Sequence, residues 1–283
     1  IAKPFIEKGI HIVCDKPLTA TISDAESLKK LVNKNKIIFA LTHNYSAYPM
    51  LREAKKIVTS GKIGKVNLIN VEYPQGYTAG IKKKDERKTL KWRLDKKISG
   101  PSMILSEIGT HAYHLLRYVT ELEVKELAAE VNTLSKELTV DDNAFVLLRL
   151  NNNARGSIWV SSAATGGENG LKIRVYGTKG AVEWFQDEPN HLKFTELNKS
   201  AKIITRASND VSDFSLKSSR LAAGHPEGFF EAFSNIYTEF ADCILSNNKT
   251  NHTFPNIEDG VKGIKFIFAA KKSSNNNSKW EKI

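Results

Sequence analysis

The stretch Gly9-Ile10-His11-Ile12-Val13-Cys14-Asp15-Lys16-Pro17-Leu18 decides how the first part of the chain folds. His11-Ile12-Val13-Cys14 is a short apolar run entered from a glycine, which predicts a buried strand. It ends in an acid, a lysine and a proline. Open α/β sheets bind ligands at the carboxyl ends of their strands, so the Lys16 ammonium is expected at a binding edge. Pro17 fixes its own φ and biases Lys16 towards an extended backbone, which aims the side chain. A solvated lysine after a strand is the plainer alternative.

Upstream, residues 2–8 read as a helix end closed by Gly9. Downstream, Ser23-Asp24-Ala25-Glu26 reads as a capping box, with Ser23 capping the helix and Glu26 reaching back. Ala25, Leu28, Leu31 and Val32 then form a helical stripe. Ile37-Ile38-Phe39-Ala40-Leu41 is the continuous apolar run of a buried parallel strand. Residues 1–43 therefore predict α-β-α-β, the tail of a doubly wound sheet. At its edge, His43 and Asn44 either touch a cofactor or substrate or serve only to turn the chain.

A second stretch, Glu107-Ile108-Gly109-Thr110-His111-Ala112-Tyr113-His114, follows the loop Ile98-Ser99-Gly100-Pro101-Ser102. Ile108, Ala112, Leu115 and Val119 share one helical stripe. Glu107 and His111 stand four residues apart on the other face. A carboxylate beside an imidazole fixes the ring's tautomer and raises its basicity, so the pair suits proton transfer. Adding His114 gives a metal-ligand alternative, a sugar isomerase or hydrolase built on Glu107, His111 and His114. Ligands on three successive turns span about 10 Å, however, too far for one small ion without help.

Between and beyond these stretches, Pro49 opens a helix with Met50, Leu51, Ala54, Ile57 and Val58 facing inward and Gly61 ending it. Strands are predicted near 65–73, 126–133, 143–150, 154–163 and 171–176, and residues 76–95 read as a polar loop. Gly177-Thr178-Lys179-Gly180 reads as a hairpin turn into a strand at 181–186. Consecutive strands without intervening helices predict a largely antiparallel sheet. Its open face suits a second subunit, so a homo-oligomer (dimer or tetramer) is expected. After Gly224-His225-Pro226-Glu227-Gly228, Phe229, Phe233, Ile236, Tyr237, Phe240 and Ile244 predict a core stripe. A last helix at 256–272 is expected to pack back on the first domain.

The chain has 283 residues, a net charge of +11 and only two cysteines. Its lysines are dispersed, apart from Lys82-Lys83-Lys84 and Lys96-Lys97, and no basic-aromatic platform or finger appears, so no nucleic-acid partner is expected. No apolar run approaches the ~20 residues of a membrane span, and no signal segment follows Ile1-Ala2-Lys3-Pro4. Cys14 and Cys243 lie outside any metal-type spacing, which fits a reducing, cytoplasmic compartment.

In order along the chain, Asp15-Lys16-Pro17, Thr42-His43-Asn44-Tyr45, Trp92-Arg93, Glu107-Ile108-Gly109-Thr110-His111 and Gly224-His225-Pro226-Glu227-Gly228 resemble the glucose–fructose oxidoreductase/inositol dehydrogenase (Gfo/Idh/MocA) family. The resemblance implies the remainder of a Rossmann domain over 1–44 and, over 45–283, an α+β substrate and oligomerisation domain with a large, mainly antiparallel open sheet. It implies an oxidoreductase using NAD or NADP on a secondary hydroxyl of a sugar, polyol or cyclitol. His111 would be the base, Glu107 its orienting partner and Lys16 the cation at the reacting oxygen. Asp15, Lys16, Pro17, His43, Asn44, Trp92 and Arg93 would meet the cofactor, while His114, Arg93 and His225 would meet the substrate. Arg93 with Trp92 has a plainer reading as a surface ion pair beside an aromatic anchor, and His225 as a structural loop residue. Asp15 stands where relatives carry Glu, Glu107 where they carry Asp, and Ser99-Gly100-Pro101-Ser102 replaces the usual Gly-rich turn. No Gly-x-Gly-x-x-Gly turn occurs, so roughly the first hundred residues of the nucleotide domain are expected to be missing. This chain is then expected to be an inactive fragment, or a non-catalytic sugar-binding remnant of the same fold.

Overall fold

The structure is a computed structural model that describes residues 1–81, 92–95, 98, 100–247 and 252–283. Part of the polar loop 76–95, the clusters Lys82-Lys83-Lys84 and Lys96-Lys97, and Ser99 of the loop before Glu107 lie outside the described residues.

The chain opens with helix α1 (Ala2–Glu7), strand β1 (Ile12–Cys14), helix α2 (Ile22–Asn35) and strand β2 (Phe39–Leu41). β1 and β2 pair in parallel, Ile12 against Phe39 and Cys14 against Leu41, so both strands end at one edge. β2 is wholly buried, which explains its unbroken apolar run. The cap of α2 is Thr21 and not Ser23: the Thr21 hydroxyl accepts from the Asp24 N–H. Glu26 does not reach back, because its carboxylate is held by Lys265 at 2.6 Å.

A 3₁₀ turn (Asn44–Ala47) leads into α3 (Pro49–Thr59), whose Met50, Leu51, Ala54, Ile57 and Val58 are buried as their spacing predicts. Strand β3 (Val66–Pro74) follows. A π-helical turn (Leu105–Gly109) then feeds α4 (Thr110–Thr120). Next come β4 (Val124–Asn132), β5 (Asn143–Leu150), β6 (Arg155–Ser161), β7 (Lys172–Gly177), β8 (Gly180–Phe185), β9 (His191–Glu196) and β10 (Lys202–Thr205). The chain finishes with α5 (Asp213–Leu216), α6 (Phe229–Leu245), α7 (Ile257–Asn275) and β11 (Glu281–Lys282). β9, β10 and β11 have no counterpart in the sequence reading. The last two are edge strands of four and two residues, in which alternation has little room to show.

Among the described residues, nine strands form one sheet in the order β10-β9-β8-β7-β3-β6-β5-β4-β11. Every neighbouring pair in it is antiparallel except β3 and β6. Ile69, Val71, Val146, Leu148, Ile158, Val160, Ile173 and Val175 fill the inner side beneath the helices. The outer side leaves Leu68, Phe145 and Leu147 exposed.

Helix α7 ties the two parts together. Its Gly260 faces Leu18 so closely that an added Cβ would lie 2.9 Å from the leucine side chain, and Lys29 reaches Glu258 at 2.7 Å. At its other end, the Ser273 hydroxyl accepts from the Ala129 N–H of β4. Helix α6 departs from the expected core stripe. Ala232, Asn235, Ile236 and Cys243 are buried, whereas Phe229, Tyr237 and Ile244 are exposed. The helix is held through Asn235, whose amide donates to the carbonyls of Ala47 and Ser218. Of its aromatics, Phe240 packs against the core beside Phe254.

Candidate active site

The shared edge of β1 and β2 sets the first half of the site. Asp15 accepts a hydrogen bond from the Thr42 hydroxyl at 2.6 Å, locking the two strand ends together. It also accepts from the Lys16 N–H at 2.9 Å. The Lys16–Pro17 peptide is cis. From this edge the Lys16 ammonium donates to the main-chain oxygen of Glu107 and stands 3.7 Å from its carboxylate. Burial pushes the Lys16 pKa down, the nearby Glu107 and Asp15 charges oppose that shift, and Arg93 adds to it.

Glu107 sits in the π turn, and its other carboxylate oxygen lies 3.0 Å from Arg93 Nε. The Arg93 guanidinium in turn covers the Trp92 ring at 4.5 Å. Among the described residues Glu107 makes no hydrogen bond to His111. A π turn closes i to i+5 instead of i to i+4, so the four-residue spacing does not carry the register of a regular α-helix. The expected carboxylate–imidazole pair is replaced by a carboxylate held between two cations.

His111 meets a different partner. Its Nδ1 lies 3.3 Å from Nδ1 of His43, with the rings at 81°. The Tyr45 ring packs edge-on against His111 at 5.0 Å. Burial holds the pKa of both histidines well below the usual value, and Lys16 lowers His111 further. His114 lies behind this pair, its ring stacked on His43 at 4.5 Å and 9°, with its pKa pushed down to about 3 by burial. It faces a separate groove lined by Lys55, Arg117 and Asp259, away from the cavity that contains His111. His225 is not brought to the site. It is exposed and held through its main chain, its oxygen accepting from Arg206 at 2.6 Å and its N–H donating to the Ala222 carbonyl.

Two cavities meet at Lys16 and Glu107. One, of about 270 Å³, is lined by Pro17, Trp92, Arg93, Met103 and Phe268. The other, of about 360 Å³, holds Asp15, Thr42, Asn44, Tyr45, His111 and Phe233. The second also contains residues the sequence reading missed: Tyr73, Gln75 and Asn169. The Tyr45 and Tyr73 hydroxyls share a short hydrogen bond, and Tyr73 donates to Asn169 at 2.8 Å. Nothing local marks them, because Tyr73 and Gln75 lie at the end of β3 and Asn169 lies 94 positions beyond Gln75 in the chain. Phe229 and Phe233 of α6 close this cavity, which accounts for two aromatics of the expected core stripe. The amide nitrogen of Asn44 is buried there with no partner among the described residues.

The metal alternative finds no support in this geometry. Glu107 is occupied by Lys16 and Arg93, and His114 points away behind His43. Among the described residues no group of three His, Cys, Asp or Glu side chains converges to hold an ion.

Comparisons with known proteins agree with the order of motifs. Residues 1–43 match the oxidoreductase family model with an NAD-binding Rossmann fold, and residues 51–183 match the GFO/IDH/MocA C-terminal domain. The uncharacterized oxidoreductase YfiI of Bacillus subtilis is 31% identical over 99% of this chain, which spans 73% of YfiI. A solved oxidoreductase from Sinorhizobium meliloti is 40% identical with a TM-score of 0.87, over 99% of this chain and 75% of that one. An inositol dehydrogenase homologue from Azotobacter vinelandii, solved with NADH and myo-inositol, is 28% identical with a TM-score of 0.91, over 100% of this chain and 74% of that one. The chain thus spans about three quarters of these relatives. Its full length aligns with a member at better than three residues in ten, with both family models in the family's order, and it belongs to the GFO/IDH/MocA family of oxidoreductases.

Proposed function

We propose that the protein oxidises a secondary hydroxyl of a sugar, polyol or cyclitol, with NAD or NADP as hydride acceptor. The observation that carries this reading is the shared wall of the two cavities: Lys16 and Glu107 line both, and His111 lines one. The cavity beside Pro17 and Trp92 fits a flat nicotinamide ring, and the unpartnered Asn44 amide supplies a donor for a bound molecule in the adjoining one. A bound nicotinamide would supply the hydride acceptor at the substrate carbon. Losing that hydride turns the alcohol into a carbonyl, so the hydroxyl proton needs a base. His111, neutral through burial, accepts it. The Lys16 ammonium stabilises charge that develops on the oxygen. Tyr45, Asn169 and Gln75 offer the hydroxyl and amide groups that suit the remaining hydroxyls of a polyhydroxylated substrate, as does the homologue's myo-inositol complex.

The decisive measurement is reduced-nicotinamide formation over a panel of polyols and sugars, by this chain and by a version that carries the family's glycine-rich strand–turn–helix ahead of it, in which variants are compared. Lys16→Ala and His111→Ala are each expected to lower turnover by about two orders of magnitude or more. Near-normal turnover in either variant would remove that residue from the chemistry. Sugar binding without turnover in the unaltered protein would leave a binding protein on the same fold. The free thiols of Cys14 and Cys243 support a reducing, cytoplasmic setting. The exposed outer face of the sheet supports assembly with a second copy. No helix among the described residues is long and apolar enough to cross a membrane.

A further inference from the structure

The carboxylate expected to orient His111 is engaged elsewhere, between Lys16 and Arg93. The polar atom that faces His111 Nδ1 is Nδ1 of His43, at 3.3 Å. Both rings are shut away from water, His43 at 2% and His111 at 8% exposure. Two imidazole nitrogens at this distance form a hydrogen bond only when one carries a proton and the other a lone pair. The two rings therefore hold a single Nδ1 proton between them.

We propose that His43 is the positioning residue for the base: it accepts a hydrogen bond from His111 Nδ1–H, so that Nε2 of His111 keeps a lone pair for the substrate's hydroxyl proton. This inference rests on the dehydrogenase reading. In the step, the substrate O–H bond breaks and an Nε2–H bond forms on His111. The carbon's hydride goes to the nicotinamide and the carbon–oxygen double bond forms. The hydrogen bond to His43 Nδ1 shares the charge of the imidazolium that forms on His111, while burial, His114, Lys16 and Arg117 keep His43 itself neutral against the opposing pull of Asp259. The charged and titratable groups acting on the pair are Lys16 from the end of β1, His114 and Arg117 from α4, and Asp259 from α7. His43 itself is fixed by the stack on His114 and by the Ser46 hydroxyl donating to its main-chain oxygen.

The test needs no turnover at first. The chain labelled with ¹⁵N-histidine is read by long-range proton–nitrogen NMR of the imidazole nitrogens. At neutral pH, His111 is expected as the Nδ1–H tautomer with a bare Nε2. His43→Asn, whose amide oxygen can accept the same bond, is expected to preserve that pattern, and His43→Leu to shift His111 towards Nε2–H. An Nε2–H tautomer in the unaltered chain, or no change in His43→Leu, would overturn the proposal. In kinetics, His43→Leu is expected to lower kcat by about tenfold or more while KM changes little, with most of the loss restored in His43→Asn. Equal losses in both variants would also count against it. If the leucine variant does not fold, the tautomer of the unaltered chain and of His43→Asn decides. No nicotinamide reduction by the unaltered protein on any polyol or sugar would sink the dehydrogenase reading, whatever the tautomer. An active unaltered protein beside an unmoved tautomer would sink only the role of His43.

Discussion

His43, His111 and His114 form a buried trio whose cost depends on acidity. Burial lowers each below its ordinary value of 6.5, His114 to about 3. In acid the unfolded chain takes up protons that the native trio refuses. The native state is therefore at its full relative stability above about pH 6.5 and loses it as the pH falls towards the folded values. Each histidine should remove about 1 kcal/mol per pH unit in that window. Urea unfolding at pH 7 and pH 5 should show the loss, and His114→Phe should reduce it, since one titrating ring is gone. A stability that does not change over that range would contradict the buried neutral trio. Lys16 and His111 were legible as candidates because their chemistry shows in the residue type and in its place beside a strand end or helix start. The partner of His111 was not. His43 lies 68 positions away in the chain, and nothing near it signals that its Nδ1 would meet another imidazole.

Elements were legible where one period ran long enough. The inward face of α3, the strand at Asn143–Leu150 and the hairpin from β7 into β8 follow directly from spacing and turn residues. The errors came where two local signals competed or a regular register broke. Thr21 and Ser23 could each cap α2, and the choice depended on Lys265, far along the chain, taking Glu26. The π turn at Leu105–Gly109 broke the four-residue pairing of Glu107 with His111. Helix α6 looked like core because its aromatics are periodic, yet Phe229 and Phe233 line a cavity. The contact of α7 with the site turn is the most exacting of these fits. A methyl group at Gly260 would meet Leu18 Cβ at 3.0 Å, one residue beyond Pro17. Gly260→Ala should therefore cost about 1–3 kcal/mol by overpacking. It should also lower turnover by displacing Lys16. Thermal unfolding and nicotinamide reduction measured side by side would check both. An unchanged midpoint would show that Leu18 can give way freely.

At the scale of the whole molecule, the sheet has one covered face and one bare one. Phe145 and Leu147 are 52% and 57% exposed on β5, and the Phe145 and Trp159 rings stack at 6.0 Å. An exposed apolar cluster of this kind favours burial against another surface. Sedimentation velocity should therefore find an assembly larger than one chain, and Phe145→Glu with Leu147→Glu should return it to monomers without loss of helix content. A monomer in the unaltered protein would remove that expectation. The same sheet has a central strand, β3, whose partners arrive late: Asn70 pairs with Ser157, 87 positions on, and with Arg174 beyond it. Closing such distant pairs is slow, because chain entropy must be lost before the contacts form. During synthesis, β3 leaves the ribosome with both edges bare and keeps them so until another hundred or so residues have followed. The strand at the middle of the sheet is thus the one that a growing chain leaves longest with both edges unpaired, and a chaperone that shields open strands would act there.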